Sequence, residues 1–268
     1  MTYSRSLNPA TLPLLRHPHT HEPLLLLEGR LIAQESGQAF PIHDGIPSFV
    51  ISKKTPYTHR LWAWVYNRIA FAYDWGAAVA WKYKLGGQPI QRQTYLEKIH
   101  IQSDAIVLET AVGTGANIYA LPAHARYIGL DISLNMLRRC QHNLAIWERE
   151  GELIHGDAQA LPFAENLFDV VYHMGGLQFI KAPQQALSEA LRVAKPGGRI
   201  WMIDEVTSIP SLVGRAPGRV RTRLGQWLTH PGRAVEMLPN IVPHPAADIN
   251  AELISNGELY MLSFRKKG

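Results

Sequence analysis

Glycines and carboxylates set the first constraint on what chemistry this chain can perform. The stretch Glu109-Thr110-Ala111-Val112-Gly113-Thr114-Gly115 closes a short apolar run. Glycines in such a turn let the backbone bend sharply and approach a ligand with no Cβ in the way. A second acid, Asp131, stands 22 positions after Glu109 at the end of the next apolar run, where a carboxylate can accept hydrogen bonds from ribose hydroxyls. A dinucleotide site uses the same devices, but its fingerprint puts a third glycine at position 118, and this chain has Ile118 there. A pyrophosphate also seeks the open helix N-terminus that such a turn exposes, whereas an adenosyl cofactor without phosphate needs only a flat glycine edge. Dinucleotide binding is disfavoured on both counts.

Further downstream, His173 lies at the end of another apolar run, and Asp204 and Glu205 at the end of the next. An unperturbed imidazole titrates near neutrality, which makes His173 a candidate general base. Asp204 and Glu205 are further candidates for the same task, and a polar lining role stays open for all three. The aromatic residues Trp62, Trp64, Phe71, Trp75 and Phe179 would give an apolar or aromatic acceptor site if they line its mouth. If they only pack helices, they say nothing of the substrate.

These residues need a scaffold, and the chain supplies a periodic one. From Ala105 onward, short strand-type runs alternate with helical stretches, the pattern of a parallel sheet with crossover helices. Strands are expected over 105–109, 127–131, 152–155, 168–173 and 199–206. A helix over 133–150 opens at the capping residue Ser133 and closes at Gly151, and another over 182–194 stops before Pro196-Gly197-Gly198. Near the end, Asn256-Gly257 between two apolar runs predicts a two-residue hairpin. Residues 1–55 read as a small β module, 56–100 as a helical lid or linker with Tyr73 on it, and 101–268 as the main domain.

Composition narrows the class. The 268 residues are 46% hydrophobic and 18% charged, enough for one substantial core and an appended module. No apolar run reaches the roughly 18 to 20 residues needed to cross a bilayer, so no membrane insertion is expected. A single cysteine, Cys140, leaves no internal disulfide and fits a cytoplasmic location. The formal charge of +5 is matched by Arg215, Arg219, Arg221, Arg223 and Arg233, a stretch without acids. With Trp227 as its sole interleaved aromatic, it reads as a solvated face rather than a nucleic-acid surface.

The ordered motifs resemble those of class I S-adenosylmethionine-dependent methyltransferases, in the branch of ubiquinone and menaquinone biosynthesis enzymes. They are Glu109-x-Ala111-x-Gly113-Thr114-Gly115, Gly129-Leu130-Asp131-Ile132-Ser133-x-x-Met136-Leu137, Gly156-Asp157-Ala158-x-x-Leu161-Pro162-Phe163, Phe168-Asp169-Val170-Val171 and Leu191-Arg192-Val193-x-Lys195-Pro196-Gly197-Gly198. The resemblance implies a doubly wound, Rossmann-like α/β fold with a seven-stranded sheet and a C-terminal antiparallel hairpin. It also implies S-adenosyl-L-methionine as cofactor and a small-molecule acceptor methylated at oxygen or carbon. It places Glu109 and Gly113 to Gly115 at the methionine end, Asp131 at the ribose, Ile132 on the adenine, and Asp157 with Ala158 at its exocyclic edge. Ala111, Met136 and His173 join the expected cofactor contacts, and Tyr73 belongs to a segment that would fold over the cofactor.

Residues 15–47 resemble the small Trm112-like zinc-ribbon module. The four positions that would carry its zinc cysteines are His17, Thr20, Ala33 and Ser36, so the module is expected to hold no metal and to act as a scaffold or pocket wall. Two alternatives remain beside the small-molecule enzyme. One is an RNA base methyltransferase, by resemblance to a ribosomal RNA enzyme that pairs a zinc module with this domain. The other is a cofactor-binding protein that no longer methylates.

Overall fold

In the computed structural model, the residues described are 7–50, 96–177, 180–206, 235–236 and 238–268. Tyr73, Trp62, Trp64, Phe71, Trp75, Phe179 and the arginines at 215, 219, 221, 223 and 233 lie outside them, as does most of the expected helical lid.

The N-terminal strands β1 (Leu24–Leu27), β2 (Arg30–Ala33), β3 (Ala39–His43) and β4 (Ile46–Pro47) form an antiparallel sheet in sequential order. Its inward residues Leu31, Ala33 and Phe40 are buried and join one continuous core with residues of the main domain. Leu15 bridges to Phe163, the Arg16 amide donates to the Pro162 carbonyl at 3.0 Å, and the Ala164 amide to the Leu14 carbonyl at 3.0 Å.

Two polar side chains hold the module's turns. His17 Nδ1 accepts from the backbone amides of His19 and Thr20, both at 3.1 Å. The Glu22 carboxylate, 5% exposed, accepts from the Thr20 hydroxyl at 2.9 Å and from the amides of Glu35 and Ser36. These acceptors serve the two turns in which the resembled module would place its thiolates. Hydrogen bonds to Ser36, Glu35 and Thr20 hold the Glu22 carboxyl down to about 2. Among the described residues, no group of three or more His, Cys, Asp or Glu could hold a metal ion.

The main sheet contains β5 (Ile106–Thr110), β6 (Arg126–Asp131), β7 (Glu152–His155), β8 (Phe168–Met174), β9 (Ala194–Glu205), β10 (Ala246–Ile254) and β11 (Leu259–Lys266). Their spatial order is β10-β11-β9-β8-β5-β6-β7. The contacts among β5 to β9 are parallel, and β11 pairs antiparallel with both β9 and β10. The expected α/β architecture with its C-terminal antiparallel hairpin is the one observed. Interior strands such as β5 and β6 are almost wholly buried, as parallel strands covered on both faces must be.

Helices α1 (Ala116–Ala120), α2 (Leu134–Ile146) and α3 (Pro183–Val193) connect these strands. Ser133 caps α2, its side chain accepting from the Met136 amide at 3.3 Å, and Met136, Leu137, Cys140 and Leu144 form the buried stripe. Pro183 opens α3, which buries Ala186, Leu187, Ala190 and Leu191. Each such large apolar side chain contributes about 1.5 to 3 kcal/mol through burial.

Three local expectations are corrected. Helix α2 stops at Ile146, and Glu148 rather than Gly151 takes the left-handed conformation (φ 52°), while the Arg149 amide returns to the Leu144 carbonyl at 3.0 Å. The C-terminal hairpin pairs Ile254 with Leu259, so its loop is Ser255 to Glu258 and not the dipeptide Asn256-Gly257. Ser255, Asn256 and Gly257 all have positive φ, a longer turn than the dipeptide signal implies. Strand β9 begins at Ala194, ahead of the expected 199, because Ala194 already pairs with Phe168 before a register shift resumes the ladder at Arg199.

Candidate functional site

The parallel strands end on one edge of the sheet, and that edge gathers Glu109, Asp131, Asp157, His173 and Asp204. The chain runs from β5 to β6 and β7 on one side, then to β8 and β9 on the other, so the strand order reverses between β5 and β8. Open α/β sheets take their ligands at such a switch point.

Glu109 is 2% exposed and hydrogen-bonded through both oxygens: Oε1 accepts from Asn117 Nδ2 at 2.6 Å and Oε2 from the Tyr172 hydroxyl at 2.6 Å. Glu109 and Tyr172 are register partners on β5 and β8, which puts them on the same sheet face. Burial, then the Glu109 charge, raise the Tyr172 pKa well above its ordinary value, so the phenol stays a donor.

After Thr110 the backbone enters the turn through Ala111, a non-glycine residue at φ 62°, a conformation that costs an alanine roughly 1 to 2 kcal/mol. Gly113, at φ 54°, has open space where a Cβ would project. Gly115, at φ 84°, backs onto Cys140, and a Cβ there would come within 2.6 Å of Sγ. The first glycine leaves room for a ligand, and the second allows α1 and α2 to approach.

Asp131 ties this turn to the end of β6. Its Oδ2 accepts from the Gly113 amide at 2.8 Å and its Oδ1 from the Ser133 amide at 2.8 Å. Burial raises its pKa, against the amides of Ser133, Gly113 and Ile132, which favour the charged form. With three amide donors on four lone-pair sites, the carboxylate keeps acceptor capacity for a ribose hydroxyl. No Lys or Arg occurs from 109 to 118, α1 is only 5 residues long, and its Gly115 and Ile118 amides are taken by Val112 and Gly115 carbonyls. The site therefore fits an adenosyl group without phosphate.

Ile132, half-buried, and Met136, buried, follow on the same turn and helix. Asp157 holds the next turn, its carboxylate accepting from the Gln159 amide at 2.9 Å and from Gln159 Nε2 at 3.0 Å, and Ala158 packs against the core.

His173 is 2% exposed, with Nδ1 2.9 Å from the Thr110 hydroxyl and Nε2 without a hydrogen-bond partner among the described residues. Burial, against a backbone hydrogen bond with Gly175, lowers its pKa to about 4, so the imidazole is neutral in the physiological range. Asp204 is engaged by the backbone, accepting from the Leu177 amide at 2.8 Å and the Glu205 amide at 2.7 Å, and burial raises its pKa to about 6. It pins the loop after β8. Glu205 is exposed at the end of β9.

Sequence reasoning missed the Asn117–Glu109–Tyr172 cluster and His155. The latter bonds to Ser48 and to the Ile132 carbonyl. Only strand register, which periodicity does not give, could have paired Tyr172 with Glu109.

Residues 108–202 match the family described as "Methyltransferase domain". The chain is 36% identical over 126 residues to the demethylmenaquinone methyltransferase of Shouchella clausii, covering 45% of this chain and 53% of that protein. It is 43% identical over 96 residues to that of Renibacterium salmoninarum, covering 35% and 38%. The chain thus spans about half the length of these relatives or less. Among solved structures, phosphoethanolamine N-methyltransferase 2 of Haemonchus contortus, in complex with S-adenosyl-L-methionine, aligns with TM-score 0.57 at 15% identity, over 83% of this chain and 62% of that one. A Methanococcus maripaludis protein described as a candidate S-adenosyl-L-methionine-dependent methyltransferase aligns with TM-score 0.54 at 16% identity, over 82% and 98%. Among the described residues, no helix is long and apolar enough to cross a membrane. Residues 108–202 thus match the methyltransferase-domain family, and they lie in a seven-stranded sheet whose fold is shared with these solved structures.

Proposed function

We propose that the protein transfers the methyl group of S-adenosyl-L-methionine to an oxygen or carbon of a small, largely apolar acceptor of the quinol type. The observation that carries this reading is the Asp131 carboxylate, held between the Gly113 and Ser133 amides at the end of β6 with acceptor capacity to spare. The names of the relatives, demethylmenaquinone methyltransferases, support the acceptor class.

The sulfonium supplies an activated methyl group for in-line displacement, so the protein's task is to bind, orient and exclude water. Glu109 and the glycine turn address the methionine end, Asp131 the ribose, and Ile132, Met136, Asp157 and Ala158 the adenine. His173 is the acceptor-side group in this reading. Its Nδ1 is fixed by Thr110, and Nε2 can accept a hydrogen bond from an acceptor hydroxyl and take its proton as the methyl group is received. We read residues 15–47 as a metal-free relative of the Trm112-like module, supported by the hydrogen bonds of His17 and Glu22 in its turns.

The test is calorimetry with S-adenosylhomocysteine, followed by incubation with S-adenosyl-L-methionine and a short-chain demethylmenaquinol. Equal accumulation of S-adenosylhomocysteine and methylated quinol is expected. Absence of cofactor binding, or unchanged binding by Asp131→Ala, overturns the reading. Binding without methylated product from any quinol or phenol overturns the acceptor class.

A further inference from the structure

One of the links between the first fifty residues and the proposed cofactor site is a histidine. His155, the last residue of β7, has Nε2 3.1 Å from the Ile132 carbonyl and Nδ1 2.7 Å from the Ser48 hydroxyl. A carbonyl only accepts, so Nε2 carries the proton, and Nδ1 of the neutral ring accepts from Ser48. Burial keeps the ring neutral, lowering its pKa to about 4. Ser48 bridges to His155 in parallel fashion, and the Phe49 amide donates to the His155 carbonyl at 2.8 Å.

The bond to Ile132 has a further consequence. Its carbonyl belongs to the same peptide group as the Ser133 amide, which donates to Asp131 Oδ1 at 2.8 Å. One planar unit is therefore gripped at both ends, by His155 on its oxygen and by Asp131 on its nitrogen. If the plane rotates, the donor that orients the Asp131 carboxylate moves with it, and so does the backbone that carries Ile132.

We propose that Ser48 and His155 are positioning residues for the adenosyl half of the cofactor, so that the N-terminal module acts on cofactor affinity through the Ile132–Ser133 peptide. This rests on the reading of Asp131 and Ile132 as ribose and adenine contacts. Neither Ser48 nor His155 is required to touch the cofactor. Their contribution lies in holding a turn in its binding geometry before the ligand arrives.

Calorimetry on the full chain with S-adenosylhomocysteine and with adenosine tests this, using Ser48→Ala, His155→Gln and, as a control on an exposed module residue, Leu26→Gln (44% exposed). Ser48→Ala and His155→Gln should weaken both ligands by the same factor, about 3- to 10-fold. Leu26→Gln should leave both unchanged. Exchange of the Ser133 amide should quicken more than that of the β5 amides in the ligand-free Ser48→Ala protein, a local difference that a loss of global stability does not mimic. Unchanged affinity in both variants overturns the proposal, as does weakening confined to S-adenosylhomocysteine, which would put the effect at the methionine end. If the unsubstituted protein binds neither ligand, the cofactor reading falls first and this proposal with it.

Discussion

Thr110 and His173 are register partners across the parallel strands β5 and β8, with Oγ1 and Nδ1 2.9 Å apart, at the point where the strand order reverses. The neighbouring register pair, Glu109 and Tyr172, meets on the opposite face at 2.6 Å. Two adjacent rungs thus place a hydroxyl–imidazole pair on one side of the sheet and an acid–phenol pair on the other.

The His173 pair predicts the shape of the pH profile. A proton acceptor must be neutral, and burial lowers this imidazole to about 4. Activity should therefore be lost as pH falls through about 4 and show no break from this group between 6 and 7. His173→Asn should lower kcat by about 100-fold or more while S-adenosylhomocysteine affinity changes far less. Steady-state kinetics across pH, with calorimetry on the variant, checks both.

Asp131→Ala removes the acceptor for the Gly113 and Ser133 amides as well as the proposed ribose contacts. Cofactor affinity should fall roughly 10- to 100-fold, the loss of one or two hydrogen bonds to a charged group. Titration with S-adenosylhomocysteine measures it. Asp131→Asn should lie between the variant and the unsubstituted protein.

Tyr172→Phe removes a hydrogen-bond donor from the buried Glu109 carboxylate. The expected cost is about 1 to 3 kcal/mol, seen as a lower urea midpoint with an unchanged slope. Asn117→Ala should behave similarly, and the double variant should fall short of additivity because both donors serve Glu109.

Stability should also fall with mild acid. His155 and His173 have folded pKa values near 4, below the ordinary 6.5, so the unfolded chain binds more protons between those values. Their contribution is complete above 6.5 and is lost as pH drops towards 4, up to about 3 kcal/mol for each. Urea midpoints measured from pH 7 to 4 should decline, and His155→Gln should flatten the slope.

The parallel strands, the capping of α2 by Ser133 and the gathering of acids at one sheet edge were legible in the sequence, because periodicity and strand-end residues encode them locally. Glu148, Ser255 and Glu22 were not. Glu148 takes a left-handed conformation that no residue preference would assign to it, and the Ser255 turn depends on the register of β10 and β11. Glu22 accepts amides from a turn 13 and 14 residues away, a contact that only the folded module creates. His173 was located correctly at a strand end, but its basicity depends on burial, which spacing does not reveal.

Glu22 gives a separate acid response. Its folded pKa, about 2, lies below the ordinary 4.5, so its stabilisation is full above 4.5 and disappears as pH falls towards 2. Amide exchange at Glu35 and Ser36 should accelerate in that window. Glu22→Gln should show the acceleration already at neutral pH.

Strand β7 forms the border of the large sheet, and residues 48 and 49 bond to its last residue, His155, while Leu15 pairs with Phe163. The customary partition into an accessory module and a catalytic domain would draw its frontier through the interior of a single core. A fragment starting near residue 96 would bare a strand edge and an apolar surface that invite self-association. For this chain, the minimal unit that can be expected to stay folded and dispersed begins within its first twenty residues.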